Sequence, residues 1–163
     1  MKTLLRTLLY LALIVWLGAE VFFPVVAAIT FTTLTGQTHI AGSIVGQLLR
    51  ILHDVGLVAG IVALALLALA PAWNIYKSRN TLPPMILLLF MLICTAYSQF
   101  VIIPAMDRDQ VAAGGAIDTT DRANPITQHF DSLHHRSTNV EGAVIILGLA
   151  AVVFLARAET DRA

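Results

Sequence analysis

Charged residues are scarce in this chain. They make up 12% of its 163 residues, about half the roughly 25% of an ordinary soluble domain. Ten Lys and Arg balance ten Asp and Glu, so the formal net charge is zero. That balance excludes a basic face for nucleic acid and an acidic tail. Cysteine is almost missing too. Cys94 is the one cysteine, so no intrachain disulfide forms and no CxxC pair exists for zinc. There is no P-loop, GxGxxG turn, GxSxG elbow, HExxH pair or CxxCH haem attachment, and no row of arginines for a voltage sensor. The function classes that those motifs announce are therefore unsupported.

What is present is apolar. Hydrophobic residues are 58% of the chain and mean hydropathy is +0.82. The expected fold class is all-α, a four-helix transmembrane bundle forming one integral membrane domain over residues 1–163. A membrane helix needs about 20 apolar residues, and four stretches supply them: residues 5–31, 41–73, 84–103 and 126–157. The first continues from Thr7 to Phe31, beyond the roughly 7–15 residues of a signal peptide's apolar region, and reads as a retained helix. The second is organised by a stripe of small residues containing Gly42, Gly46, His53, Gly56 and Gly60, spaced by threes and fours so that all face one way. Such glycines let a neighbouring helix approach closely in lipid. Lys77, Arg79 and Pro83-Pro84 mark a connector, Pro104 a stop, and residues 104–125 a polar outer loop. Pro125 opens the last helix at its first turn. The second and fourth helices begin with polar halves, which predicts that both extend beyond the membrane on the outer side.

Basic residues near helix ends set orientation. Lys2, Arg6, Lys77, Arg79, Arg157 and Arg162 fall on one side, and Arg50, Arg108, Arg122 and Arg136 on the other. This favours cytoplasmic N- and C-termini in a bacterial-type inner membrane. All five histidines (His39, His53, His129, His134, His135) then lie towards the outer face. At about 1.5 Å per residue, Glu20, Gln99 and Glu141 lie about 21–24 Å above their cytoplasmic helix ends, and His53 about 30 Å above Trp73. A carboxylate at such depth faces the bundle interior and a partner. The expected partners of Glu20 and Glu141 are His53, Arg50, Asn139, Gln99 and Tyr97. Histidine is the commonest metal ligand and titrates near neutral pH. His53, His134, Glu20 and Glu141 are therefore the candidate metal ligands, for a transition metal or for a proton relay. The bland alternative is that Glu20, Glu141 and Arg50 only pair with each other.

Four motifs carry a resemblance. Trp16-Leu17-Gly18 stands in the first helix and Gly42–Leu52 enters the second. Pro104-Ala105-Met106 follows the third, and Phe130-x-x-x-His134-x-x-Ser137 enters the fourth. In this order and spacing the chain resembles the transmembrane-protein-205-like family of uncharacterised membrane proteins. The resemblance implies a four-helix membrane bundle with no established reaction, and marks His134 and Ser137 as motif positions. More distantly, the layout is similar to four-span copper-resistance proteins and to the haem-containing protoporphyrinogen oxidase of bacteria. Those proteins keep a histidine early in their first helix. Here Leu8 and Leu9 occupy that region, so haem fits less well than a transition metal. No reaction is indicated, and a non-enzymatic role is favoured. The expected function is an outward-facing His/carboxylate site for a metal ion or small solute. Two alternatives remain: a structural subunit that meets a second copy or a membrane partner through its glycine stripe, and a haem-bearing redox enzyme. The lipid bilayer is the expected partner in every case.

Overall fold

The computed structural model describes residues 2–161, leaving aside the Asp118 side chain; Arg162, assigned above to the cytoplasmic side, lies outside them. The described residues contain helices and turns and no strand. α1 spans Lys2–Thr33 and α2 spans Thr38–Leu69. α3, Ser78–Tyr97, runs without a break through a π-helical segment, Ser98–Ile102, into α4, Ile103–Ala112. A short 3-10 turn, Ile117–Thr119, precedes α5, Pro125–Thr160. Four helices are thus long and apolar enough to cross a membrane: α1, α2, the joined α3–α4 rod and α5.

Their outer surface is what lipid requires. Ile14, Phe22, Val58, Ile61, Phe90, Phe100 and Ile146 are each more than half exposed and point away from the bundle. In water so much apolar surface would mark an interface or an aggregation hazard. Around a bundle of four spans it is the lipid-facing coat. The interior is packed in the ordinary way, with Trp16, Ala63, Leu67, Leu88, Met91, Val144 and Ala151 fully buried. α1 packs chiefly on α2, and α5 chiefly on α3.

Several boundaries differ from the sequence expectation, for identifiable reasons. The second helix ends at Leu69 rather than near residue 73, because Pro71 cannot continue it. The third begins at Ser78, so Pro83 and Pro84 lie inside α3 rather than in a connector. They fall near its start, where few preceding turns exist to lose a hydrogen bond. Pro104 does not stop the helix. The rod continues to Ala112, and about half of the expected loop 104–125 is helical. The spans of α1 and α3–α4 are 32 and 35 residues, against 32 and 36 for α2 and α5. Extension past a bilayer core, about 30 Å thick, is therefore shared by all four and is not special to the second and fourth. The start of α5 is as expected: Pro125 takes the first turn, and the Asn124 side chain accepts a hydrogen bond from the Ile126 N–H at 2.9 Å.

At one end of the bundle, Tyr10 of α1 and Tyr76 of the 70–77 connector both donate to Glu159 of α5. Burial, and the carboxylate beside it, push the Tyr76 phenol up from its ordinary range, so it stays a neutral donor. At mid-height the glycine stripe of α2 does something narrower than predicted. A methyl group at Gly56 would stand 2.5 Å from Trp16 Nε1, and one at Gly60 would stand 2.5 Å from Trp16 Cζ3. The two glycines form a bed for one indole ring of α1. Gly42 meets nothing within 4 Å, and Gly46 meets only Arg50 of its own helix. Gly148 of α5, which the stripe argument did not single out, takes Leu17 in the same manner, at 2.6 Å.

Gly60→Ala should destabilise the protein by about 1–3 kcal/mol, the usual penalty of overpacking a tight core. Gly42→Ala should leave stability unchanged or slightly higher, because alanine favours helix and space is open there. Melting curves of the two variants in detergent check this; equal melting temperatures would remove the indole bed from the account.

Candidate functional site

His53 is the centre of a polar cluster in the half of the bundle away from the chain termini, and its ring is wholly buried. Its Nε2 lies 2.9 Å from Glu141 Oε1 of α5. Its Nδ1 lies 3.1 Å from Gln99 Oε1 of the π segment. Gln99 in turn donates through Nε2 to Asp54 Oδ1 at 2.8 Å, and Asp54 is exposed. Ser98, also in the π segment and fully buried, donates its hydroxyl to Glu141 Oε1 at 2.9 Å. On α1, Glu20 is 1% exposed and accepts from Trp16 Nε1 at 3.2 Å. Its carboxyl is within interaction range of both Glu141 and His53. The other Glu141 oxygen, Oε2, is buried and meets no hydrogen-bond donor.

The π segment explains how one short stretch reaches two helices. In an α-helix adjacent side chains point about 100° apart. Here Ser98 turns to α5 and Gln99 to α2, and the Ile103 N–H reaches back to the Ser98 carbonyl, a five-residue step. Pro104 stands immediately beyond. Proline has no N–H to offer, and its ring collides with the carbonyl four residues earlier, that of Phe100. Widening the turn before it relieves both problems without ending the helix. Single π turns of this kind are frequent at functional sites.

The bond pattern fixes the direction of each link. A carboxylate only accepts, so Gln99 turns its amide nitrogen to Asp54 and its carbonyl to His53. His53 Nδ1 must then carry a hydrogen. Its Nε2 shares one further proton with Glu141: either the ring donates to a carboxylate, or a carboxylic acid donates to the ring. Glu141 Oε2 has no donor, and the Glu20 carboxyl lies within interaction range of Glu141. Two carboxyls within range of one another repel when both are ionised, and a proton on either removes the repulsion.

Of the residues expected to form a polar layer, the structure brings together Glu20, His53, Gln99 and Glu141. It does not bring in the others. Arg50 pairs with Asp107, and both are partly exposed. Asp107 reaches it because the rod continues past Pro104, where the sequence suggested a loop. Asn139 is exposed, as its position two residues before Glu141 puts it on the far side of α5. His134 is exposed and lies two turns, about 10 Å, above Glu141 on the same helix. Tyr97 accepts from Arg136 rather than from the cluster. His129 pairs with Asp109 at 2.7 Å. Among the described residues, no group of three or more His, Cys, Asp or Glu side chains is arranged to hold a metal ion. Asp54 and Ser98 were missed by the sequence reading. Each is the chain neighbour of a residue that was named, and only the π segment makes the neighbour count.

Glu141→Leu leaves His53 Nε2 and the Ser98 hydroxyl without their acceptor, and should cost about 1–3 kcal/mol of stability. Arg50→Leu breaks a partly exposed pair and should change stability by no more than about 0.5 kcal/mol. Detergent melting of both variants decides the matter, and a larger loss in Arg50→Leu would contradict the assignment of buried and exposed networks.

No curated protein and no solved structure matches the chain. A family match exists and covers residues 11–113, from the first helix through the π segment to the end of the third span. It includes Glu20, His53, Asp54, Ser98 and Gln99 and excludes Glu141 and the His134 motif, and it supplies no support for the transmembrane-protein-205-like, copper-resistance or protoporphyrinogen oxidase resemblances. The match spans more than half of a chain whose four apolar helices suit a polytopic membrane protein, and the chain belongs to this family, described as a domain of unknown function (DUF4149).

Proposed function

We propose that the protein is a single polytopic membrane unit that binds protons at the His53–Glu141–Glu20 cluster, loading them from the non-cytoplasmic side through Gln99 and Asp54. The observation that carries this reading is a buried Glu20 and a Glu141 with a buried, donorless Oε2, within interaction range of each other and beside buried His53, deep in an apolar bundle. Buried polar atoms are normally satisfied, and a proton is the smallest group that turns a donorless carboxylate oxygen into a donor. Intramembrane ionisable residues mark proton relays and ion pathways more often than they mark decoration.

The chain of bonds supplies a route on one side only. Exposed Asp54, Gln99, His53 and Glu141 follow one another at 2.8, 3.1 and 2.9 Å. Towards the other side the buried layer is Ala63, Leu67, Leu88, Met91 and Ala151. Apolar packing of this kind holds no water and passes no proton. The site therefore binds and releases rather than conducts. The donor set favours a proton over a transition metal: both ring nitrogens of His53 are engaged, and His134 is remote. Haem finds no axial histidine facing another across a cavity. The positive-inside bias supports cytoplasmic termini, which puts Asp54 at the outer surface.

Infrared difference spectra of the protein in lipid, taken between about pH 5 and pH 8 where histidine charge ordinarily changes, test the reading. A carboxyl C=O band should appear in the wild type. It should be lost or moved in Glu141→Gln and in Glu20→Gln, and keep its place in the Asp109→Asn control. Spectra identical in wild type and both glutamate variants would overturn the proposal. Proteoliposomes should hold an imposed pH gradient as long as empty ones do.

A further inference from the structure

The opposite end of the bundle carries a second feature, unrelated to the proton site. A pocket of about 360 Å³ opens where α1, the 70–77 connector and the start of α3 meet. Sites for small molecules begin at about 300 Å³. Arg6, Asn74, Tyr76, Lys77 and Ser78 contribute its polar lining. The Arg6 Nε is buried and has no hydrogen-bond partner. Neither Arg6 nor Lys77 takes part in any of the ion pairs found among the described residues. Lys2 donates to the Asn74 carbonyl at 3.2 Å, which brings a third cation to the rim. Lys77 caps α3, whose first turn has no acidic side chain and no side-chain cap. The Asn80 N–H is taken by the Lys77 carbonyl at 2.9 Å, which leaves the Ser78 and Arg79 N–H groups open to an anion. The nearby acids are already engaged: Glu159 accepts from Tyr10 and Tyr76, and Asp161 accepts from Asn80 at 3.3 Å.

We infer that this pocket binds a phosphate-bearing anion, held by Arg6, Lys77 and the first turn of α3, and that the anion is the headgroup of an acidic phospholipid. A buried guanidinium atom without an acceptor is costly, and a phosphate oxygen is the acceptor whose geometry suits it. The pocket lies at the helix ends, beside exposed Leu4, Leu8, Leu69 and Leu82. Acyl chains hanging from a headgroup seated there would lie along those leucines. Basic pockets between membrane helices on the cytoplasmic side bind anionic headgroups in just this way. The site is independent of the proton cluster and stands if that reading fails.

Native mass spectrometry of the full chain tests it, with phosphatidylglycerol, phosphatidylcholine and inorganic phosphate as probes. The wild type should retain phosphatidylglycerol in preference to phosphatidylcholine. The Arg6→Gln/Lys77→Gln pair should weaken that retention on the order of tenfold or more, at about fivefold per cation near a membrane surface. Arg79→Gln, outside the pocket wall, should not. If the double variant does not fold, Lys77→Gln alone, at an exposed position, should still lose about fivefold. Failure of inorganic phosphate to compete identifies the lipid as the source. Competition at millimolar phosphate keeps the pocket chemistry but makes free phosphate its ligand. Equal retention of the two lipids, or no loss in the folded variants, overturns the inference.

Discussion

A buried carboxyl must find partners, and in this bundle the search for partners by Glu141 sets the arrangement of three spans. An acid in hydrocarbon surroundings is tolerable only when each oxygen is bonded. Glu141 Oε1 takes His53 from α2 and Ser98 from the π segment. Its Oε2 is buried without a donor, and Glu20 of α1 is the second carboxyl within its range. One residue of α5 thereby fixes the rotation of its three neighbours. Apolar packing alone specifies rotation weakly in lipid, because lipid tails are as apolar as the helix surface and no hydrophobic drive separates inside from outside. A polar cluster supplies that direction. The bundle then closes around it with ordinary side-chain packing.

Pro104 shows how a local constraint serves this demand. Without the proline, the third span would continue as regular α-helix and present Ser98 and Gln99 about 100° apart with no widening. With it, the turn from Ser98 to Ile102 opens to the π form. Consecutive side chains then meet Glu141 on one neighbour and His53 on another. The same continuation of the helix past Pro104 carries Asp107 to Arg50. That pair takes Arg50 out of the interior, where a third charge would have upset the balance between His53 and the two glutamates.

Much of this was legible in the residues. Four apolar stretches gave four spans. Glu20, Gln99 and Glu141 were placed at similar heights, and His53 somewhat higher, by counting rise per residue, and the four converge. Counting works because depth along a straight helix depends only on residue number. Rotation and continuity were less readable. Asn139 was admitted to the layer, and His134 to the candidate ligands, on residue type, although the helical repeat puts Asn139 on the far side of α5 and His134 two turns from Glu141. Pro104 was taken as a stop because proline usually is one; in a membrane rod, neighbours and local widening let the helix continue. Asp54 and Ser98 gave no signal of their own, since their role follows from that widening. The glycine stripe was correctly seen as a close approach, but half of it, Gly42 and Gly46, meets no neighbouring helix. Nothing in spacing distinguishes a glycine that receives an indole from one that faces open space.

Trp16 is where packing and the polar cluster meet. Its ring lies on Gly56 and Gly60, and its N–H is the donor to Glu20. The indole cannot move across α2 without releasing that bond, and Glu20 cannot turn away without leaving a buried N–H unpaired. A change in the charge of Glu20 would change what it asks of its donor, since a carboxylate accepts more strongly than a carboxylic acid. The α1–α2 seam is thus mechanically tied to the charge of the cluster.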